Sequence, residues 1–384
     1  MTTLPSVDTE ALIALVDDFA KSEVAPRVAE YDAAEYLPRD LLERVAELGF
    51  FGGVLPEEYG GTGLDYVTFA RVVERMSVTC NALACLISMP SGLVGASIEA
   101  FGTEEQKQRW LVPLAEGRSF GGAGVTEPRS GSDVAGMSTT YRRDGDDFVI
   151  SGAKAWITNI DIADFFITFA TSDRSARHKG VTAFLVPRDT PGISVAPYRN
   201  KLGFRPLCTG DLVLDEVRVG SDAVLGEEGD GFRVAMTAVE RGRLGVAARA
   251  VGVAQACLNH ATEYTKSREA FGRRIAEFQI VQSKVTDMVV GVRTARLLLE
   301  EAAEALQRGE RARQLTSMAK MYASDVAFRA ANDAVQVHGA YGVSPEYEVG
   351  RLLRDAKVLQ IVEGSNDLHR ALIAELELGL RRSS

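Results

Sequence analysis

The sequence predicts a three-part α+β molecule: a helical part over residues 1–118, a strand-rich part over residues 119–227 and a second helical part over residues 228–384. Three observations carry this. The length of 384 residues, set against about 150 residues for a typical domain, leaves room for more than one domain and a sizeable core. Apolar residues recur at helical spacing towards both ends. Between them lie short β-branched and aromatic runs separated by turn formers.

In the first part the pattern is carried by Leu12, Leu15, Val16 and Phe19, then Leu41, Leu42, Val45 and Leu48, then Phe69, Val72, Val73 and Met76. Pro5, Pro26 and the segment Leu55-Pro-Glu-Glu-Tyr-Gly-Gly-Thr-Gly-Leu64 interrupt it as bends and a loop. In the middle part, Phe148-Val-Ile150, Phe165-Phe-Ile-Thr-Phe169, Thr182-Ala-Phe-Leu-Val186 and Leu212-Val-Leu214 read as strands. Asp144-Gly-Asp-Asp147, Thr190-Pro-Gly192 and Thr209-Gly-Asp211 read as turns between antiparallel neighbours, and an inserted sandwich is the other architecture that would fit. In the last part Val281, Val285, Met288, Val292, Ala295, Leu299 and Ala303 mark one face of a long helix. Gly309 and the stretch from Gly339 to Pro345 break what is otherwise a bundle of long helices.

Composition narrows the function. A hydrophobic share of 46% and a charged share of 25% are those of an ordinary folded protein. With 43 Lys and Arg against 53 Asp and Glu the net charge is −10, which repels a phosphate backbone, so nucleic acid is not an expected partner. Cys80, Cys85, Cys208 and Cys257 show no paired spacing and the histidines lie far apart, so no metal site is expected. No basic leader precedes the first apolar residues and no run of eighteen apolar residues occurs. The expectation is therefore no membrane span and a reducing cytoplasm.

No phosphate-binding loop, dinucleotide fingerprint, G-x-S-x-G elbow or H-E-x-x-H pair is present. Four other clusters stand out. Gly124-Val-Thr-Glu-Pro-Arg-Ser-Gly-Ser-Asp133 holds three hydroxyl side chains, two glycines and a proline, a bent loop able to donate to a polar planar ligand or an anion. In Lys154-Ala-Trp-Ile-Thr-Asn159, strand alternation puts Trp156 and Thr158 on one face, where an aromatic plane and a hydroxyl can meet one ligand. In Ser267-Arg-Glu-Ala-Phe-Gly-Arg-Arg274, Arg268 has the fork that clamps a phosphate. In Ile361-Val-Glu-Gly-Ser-Asn-Asp-Leu-His-Arg370, Glu363 is flanked by apolar residues and a glycine, the setting that raises a carboxylate towards a working base. Taken singly, each also has a plain structural reading: a connecting loop, a core tryptophan, a helix-end arginine and a helix-capping glutamate.

Taken together, in this order, they resemble the acyl-CoA dehydrogenase family along essentially the whole chain. Gly124 to Asp133 matches that family's first signature, Trp156-Ile-Thr158 its flavin-stacking strand, and Ile361-Val-Glu-Gly-Ser365 its catalytic segment. The resemblance implies an N-terminal helical domain, a middle antiparallel β-barrel-like domain and a C-terminal four-helix bundle. It implies FAD as cofactor, with Val125, Thr126, Trp156, Ile157 and Thr158 at the ring. Arg268, Phe271 and Gln279 would serve the pyrophosphate and adenosine of a neighbouring subunit's FAD, with Gln336, Val337, His338, Gly339 and Ala340, and with Ser365 and Asp367, completing the pocket. A homodimer or homotetramer follows from such sharing, and an electron-transfer flavoprotein is the implied electron acceptor. Ser132, Glu240, Arg243 and Gly364 would line the substrate channel.

The implied reaction is α,β-dehydrogenation of an acyl thioester to the trans-2-enoyl thioester. Glu363 takes the α-proton, the β-hydrogen leaves as hydride to the flavin, and the thioester oxygen is held by the Glu363 N–H and a ribityl hydroxyl, so no cationic side chain need be found for that oxygen. Some members carry the base on the helix opening the C-terminal part, at the place held here by Gly242. Val362 in place of tyrosine, Ser365 in place of threonine and Glu240 in place of aspartate depart from the family pattern. The first leaves both coenzyme A and a carrier protein open as the thiol, with a short or branched acyl group expected. A flavin oxidase or monooxygenase of the same fold using dioxygen, and a non-catalytic helical scaffold, are the competing readings.

Overall fold

Asp8 accepts a hydrogen bond from the Ala11 N–H and starts helix α1 (Thr9–Phe19) in a computed structural model that describes residues 8–380. Pro5 lies outside the described residues. Helix α1 buries Ile13, Val16 and Phe19, while Leu15, which shares the sequence pattern, is 42% exposed. A π turn (Ala20–Val24) and a 3₁₀ turn containing Pro26 lead into α2 (Val28–Ala34). Then follow α3 (Arg39–Glu47), α4 (Tyr66–Thr79), α5 (Asn81–Ser91), α6 (Gly95–Phe101), and the short α7 (Glu104–Gln106) and α8 (Val112–Ala115).

The stretch Asn81–Phe101 is long and apolar enough to cross a membrane by length and composition, with a mean hydropathy of 1.4 over its most apolar window, yet 89% of that window is buried inside the protein. Helix α5 is buried at every residue because α4 packs on one side and the first bundle helix on another, so its apolar surface is already used.

The middle region folds into one sheet from β1 (Gly121–Gly124), β2 (Thr140–Asp144), β3 (Asp147–Thr158), β4 (Phe165–Thr171), β5 (Val181–Pro187), β6 (Ile193–Pro197), β7 (Thr209–Val219) and β8 (Val224–Leu225). The order is β6-β7-β3-β2-β4-β5-β8, with β1 alongside β4. Two features differ from the expectation. The end strands β6 and β8 do not pair, so the barrel is open, and β1 and β2 meet β4 in parallel. The segment Thr209-Gly-Asp211 is the start of β7 and not a turn. Gly210 sits between Ile157 and Pro197, where the neighbouring backbone comes too close for a side chain. Phe148, Ile150, Phe166, Phe184 and Leu212 form a separate core for this sheet.

From residue 231 the chain is helical: α9 (Gly231–Ser267), α10 (Gln279–Gln307), α11 (Arg313–His338), α12 (Val349–Leu359) and α13 (Asn366–Glu377). A two-stranded hairpin, β9 (Glu269–Ala270) and β10 (Arg273–Arg274), separates α9 from α10. Helices α9, α10, α11 and α12 form the bundle, α13 lies on α11, and α4 packs on both α9 and α10, so the two helical regions share one core. Buried polar contacts tie the 198–208 segment to both. Asp355 on α12 accepts from the Phe204 N–H at 2.7 Å, Arg354 on α12 donates to the Leu202 carbonyl at 3.1 Å and pairs with Asp32 at 2.5 Å, and Glu35 pairs with Arg205 at 2.7 Å.

Candidate active site

Between α12 and α13 the chain makes a tight turn in which Glu363 has φ +54° and Gly364 φ +92°. Only a glycine suits the second position: besides the left-handed backbone, a Cβ there would lie 3.1 Å from the His369 Nε2. The turn is held from two sides. The His369 Nε2 lies 3.2 Å from the Glu363 carbonyl oxygen, and the Lys320 ammonium on α11 donates to the Gly364 carbonyl at 2.7 Å and to Asn366 Oδ1 at 2.9 Å. The Asn366 amide donates in turn to Asp325 Oδ1 at 2.8 Å and to Ser324 Oγ at 2.9 Å. Ser365 caps α13 by accepting from the Leu368 N–H.

The Glu363 side chain faces α9 at Gly242, where a Cβ would stand 3.2 Å from its carboxyl group. Any side chain there would occupy the space in front of the carboxylate. Burial raises the Glu363 pKa above the usual carboxylate range, and the charges of Arg243, Arg249 and Lys320 oppose that rise. Lys320 is fully buried and its pKa is pushed down to about 7 by desolvation; burial and the nearby cations push His369 down to about 3. His369 is therefore neutral at physiological pH. Arg243, lowered by burial, donates to Ser317 Oγ at 3.2 Å, and the Arg249 guanidinium lies 5.3 Å over the Phe204 ring.

The second cluster is built around a buried ion pair. Lys154 on β3 donates to Glu127 at 2.8 Å, and Glu127 also accepts from the Ser138 N–H at 2.6 Å and the Thr139 N–H at 2.9 Å, which pins both ends of the loop that follows β1. The Ala155 N–H donates to the Thr126 carbonyl at 2.9 Å, tying that loop to β3. There β3 carries a bulge between Lys154 and Ile157. Trp156 takes φ +61° and is 61% exposed, whereas Ala155 and Ile157 are 3% and 1% exposed. The bulge, not plain alternation, turns the indole outward. Tyr198 steadies it edge-on at 4.8 Å. Thr126, Thr158 and Val125 are half-buried beside it. The Ile157 side chain belongs to the sheet core, so only its backbone can face a ligand there.

The third cluster forms the β9–β10 hairpin. Phe271 and Gly272 at its tip have φ +52° and +76°, the paired left-handed turn that hairpins favour, and Phe271 is 96% exposed. Arg268 is exposed with its guanidinium 5.8 Å over Tyr341, and Gln279 is the exposed first residue of α10. Near the end of α11, Gln336, Gly339 and Ala340 are exposed, but Val337 and His338 are buried. His338 stacks on Tyr264 at 4.1 Å with its Nδ1 2.8 Å from the Ala334 carbonyl oxygen, so its side chain serves the core. Asp367 is open to solvent on α13, Ser132 is exposed in the loop after β1, and Glu240 is half-buried on α9 just before Gly242.

The structure thus brings Glu363, Gly364, Arg243 and Gly242 together, and separately Val125, Thr126, Trp156 and Thr158. It does not bring Arg268 to Glu363. Along α9 they are separated by the distance from Gly242 to residue 268, about 39 Å at 1.5 Å per residue. Sequence reasoning missed Lys320, His369, Asn366 and Arg249. Two of these had a signal, a charged residue on an apolar stripe: Lys320 among Thr316, Ala319, Ala323 and Ala327, and Arg249 within a run of alanines and valines, all of them buried. A cavity of about 240 Å³ lined by Leu12, Phe50, Leu64 and Phe69 lies among the N-terminal helices and includes none of these residues.

Three family models match in succession: the acyl-CoA dehydrogenase N-terminal domain over residues 6–118, the middle domain over residues 122–217 and the C-terminal domain over residues 229–378. The chain belongs to the acyl-CoA dehydrogenase family. It is an oxidoreductase and its cofactor is FAD. It is similar to an acyl-CoA dehydrogenase of Bacillus subtilis, 40% identical over 95% of this chain and 96% of that protein. Among solved structures, butyryl-CoA dehydrogenase from Megasphaera elsdenii superposes with a TM-score of 0.94 at 37% identity, covering 98% of this chain and 100% of the other. The prolyl acyl carrier protein oxidase AnaB superposes with a TM-score of 0.93 at 31% identity, covering 97% and 99%. The residues present fit a flavin of this family: the bulge holds a large aromatic plane open beside two hydroxyl side chains, which suits a planar heterocycle.

Proposed function

We propose that this acyl-CoA dehydrogenase removes the α-proton of a short acyl thioester with Glu363 and so forms the trans-2-enoyl thioester. One observation carries the reading: a half-buried carboxylate on a strained, doubly anchored turn, with a glycine opposite that leaves room for a substrate carbon. A base must be held in place and poised to accept a proton, and desolvation opposed by nearby cations does both. Among the described residues no backbone acceptor takes the Glu363 N–H, which leaves it free to donate to the thioester oxygen. When bound, FAD supplies the two-electron acceptor for the β-hydrogen. Val125, Thr126, Trp156, Thr158 and the Ile157 backbone would hold its ring, and Ser132, Glu240 and Arg243 would line the thioester channel.

The remaining FAD contacts are assigned to a second copy of the chain. Arg268, Phe271 and Gln279 lie about 39 Å along α9 from the base, and Phe271 stands almost wholly exposed on its hairpin. A homodimer or homotetramer in which Gln336, Gly339 and Ala340 act with them on the neighbouring chain's FAD, while Ser365 and Asp367 beside Glu363 complete the pocket, accounts for both facts. An electron-transfer flavoprotein is the proposed electron acceptor. All four cysteines are free and buried, which supports a reducing, cytoplasmic setting. The likeness to a carrier-protein oxidase keeps a second reading open, in which the acyl group rides on a carrier protein and dioxygen takes the electrons.

Anaerobic mixing of the purified holoprotein with acyl thioesters tests the reaction. Flavin absorbance is expected to bleach with wild type, and Glu363→Gln to slow bleaching by ~10²–10⁴ while flavin stays bound. Unchanged bleaching in the variant removes Glu363 from the role of base. Oxygen uptake that needs no added electron acceptor selects the oxidase reading.

A further inference from the structure

Every residue of α9 from Leu244 to Ala254 is buried, and all are apolar or glycine except Arg249. Arg249 is 4% exposed, and its buried Nε and Nη1 meet no hydrogen-bond acceptor among the described residues. Other deep charges nearby are answered: Lys320 by the Gly364 carbonyl and Asn366, and Asp355 by the Phe204 N–H. A guanidinium left without acceptors in a closed site is unstable unless something else supplies them.

Its position says what that is. Arg249 follows Gly242 by two helical turns and so lies on the face that looks at Glu363, about 10 Å further along the axis. Helical side chains lean towards the N-terminus, which carries the guanidinium back towards the base. Its charge acts on Glu363, on Lys320 and on Cys85 of α5, which places it within electrostatic reach of the carboxylate, between α9 and α5. The ring of Phe204, whose N–H is held by Asp355, lies 5.3 Å from the guanidinium. Arg243 and Lys320 act on Glu363, Glu240 also acts on Arg243, and the nearby Asp325 is bonded by Asn366, Gln360 and Arg370, so among these groups Arg249 is the buried cation whose Nε and Nη1 hold no acceptor, and it favours an anion.

We propose that Arg249 is a specificity-determining residue which receives a carboxylate at the far end of a short acyl chain, so that the substrate class is the monothioester of a short dicarboxylic acid. This rests on the acyl-thioester reading above. The distal carboxylate takes no part in bond making; it fixes the chain so that its α-carbon lies before Glu363.

Binding without turnover tests it. Glu363→Gln holoprotein titrated calorimetrically with glutaryl-CoA and with valeryl-CoA, which has the same chain length, is expected to bind the first at least about 10-fold more tightly. Adding Arg249→Gln removes that difference through loss of glutaryl-CoA affinity; adding Arg249→Lys, which keeps the charge, restores part of it. Equal affinities for the two thioesters, no binding of glutaryl-CoA, or a preference that survives Arg249→Gln overturns the proposal. If Arg249→Gln does not fold, the comparison in the Glu363→Gln protein and the Arg249→Lys variant decide alone. Selective binding of glutaryl-CoA without bleaching of the wild-type flavin by any thioester would sink the dehydrogenase reading and support Arg249. Bleaching by valeryl-CoA but not by glutaryl-CoA would do the reverse.

Discussion

At the scale of the residue, the proposed chemistry turns on how one carboxylate is kept both ionisable and still. Burial shifts Glu363 upward and three cations restrain the shift, so the active, deprotonated form gains population only as pH rises through a value above 4.5. The acid limb of kcat/KM for an acyl thioester is therefore expected above the usual carboxylate range. Lys320→Met removes one positive charge, which disfavours the carboxylate form, and should move that limb to higher pH. It also removes the ammonium that anchors the Gly364 carbonyl, so the plateau rate should fall as well. If the plateau falls and the limb stays where it was, Lys320 only shapes the turn. Glu363 was legible in the sequence because its apolar flanks and following glycine are local. Lys320 and His369 were not: Lys320 reaches Gly364 across 44 residues, and the His369 contact depends on a left-handed turn that no periodicity announces.

At the scale of the element, β3 shows where pattern reading stops. Its run of apolar residues identifies a strand, and the helices at both ends follow from their spacing, with Met288, Val292, Ala295, Leu299 and Ala303 all buried on α10 as a period near 3.6 requires. The bulge beside Trp156 and the absorption of Thr209-Gly-Asp211 into β7 were invisible, because both depend on which strands are neighbours and in what register. The loop before β2 depends on the same strand through the Glu127–Lys154 pair. Against burial, which would raise it, the Lys154 ammonium and the Ser138 and Thr139 hydrogen bonds hold the Glu127 pKa down to about 2. A carboxylate lowered on folding contributes stability that is present above pH 4.5 and is lost as pH falls towards 2. Glu127→Gln leaves a lysine buried without its counter-charge and should destabilise the protein by about 3–5 kcal/mol at neutral pH. Urea unfolding at pH 7 checks the loss, and Glu127→Gln combined with Lys154→Met, which removes both charges, should recover part of it; a double variant no more stable than Glu127→Gln would show that the ion pair is not its source.

At the scale of the whole molecule, α9 is the organising beam, its 37 residues passing the Glu363 carboxyl at Gly242 and ending at the hairpin that presents Arg268 and Phe271. A helix of that length spans about 55 Å, so the two ends of one chain serve different places. On the proposed assembly, exposed apolar residues are candidates for the contact between copies: Val290 and Leu297, seven residues apart on α10, are 55% and 65% exposed, and Phe271 is 96% exposed. If each FAD is held between two chains, assembly and cofactor retention cannot be separated. Val290→Glu with Leu297→Glu, which places charge there, should shift the protein to monomer in size-exclusion chromatography and release flavin in the same fractions. Arg268→Ala should lower the flavin-to-protein ratio with a smaller effect on particle mass, because it removes a ligand contact and leaves those apolar residues intact. A monomeric Val290→Glu/Leu297→Glu protein that still carries one flavin per chain would place the whole cofactor within a single subunit, and the 39 Å between Arg268 and the base would then need another explanation.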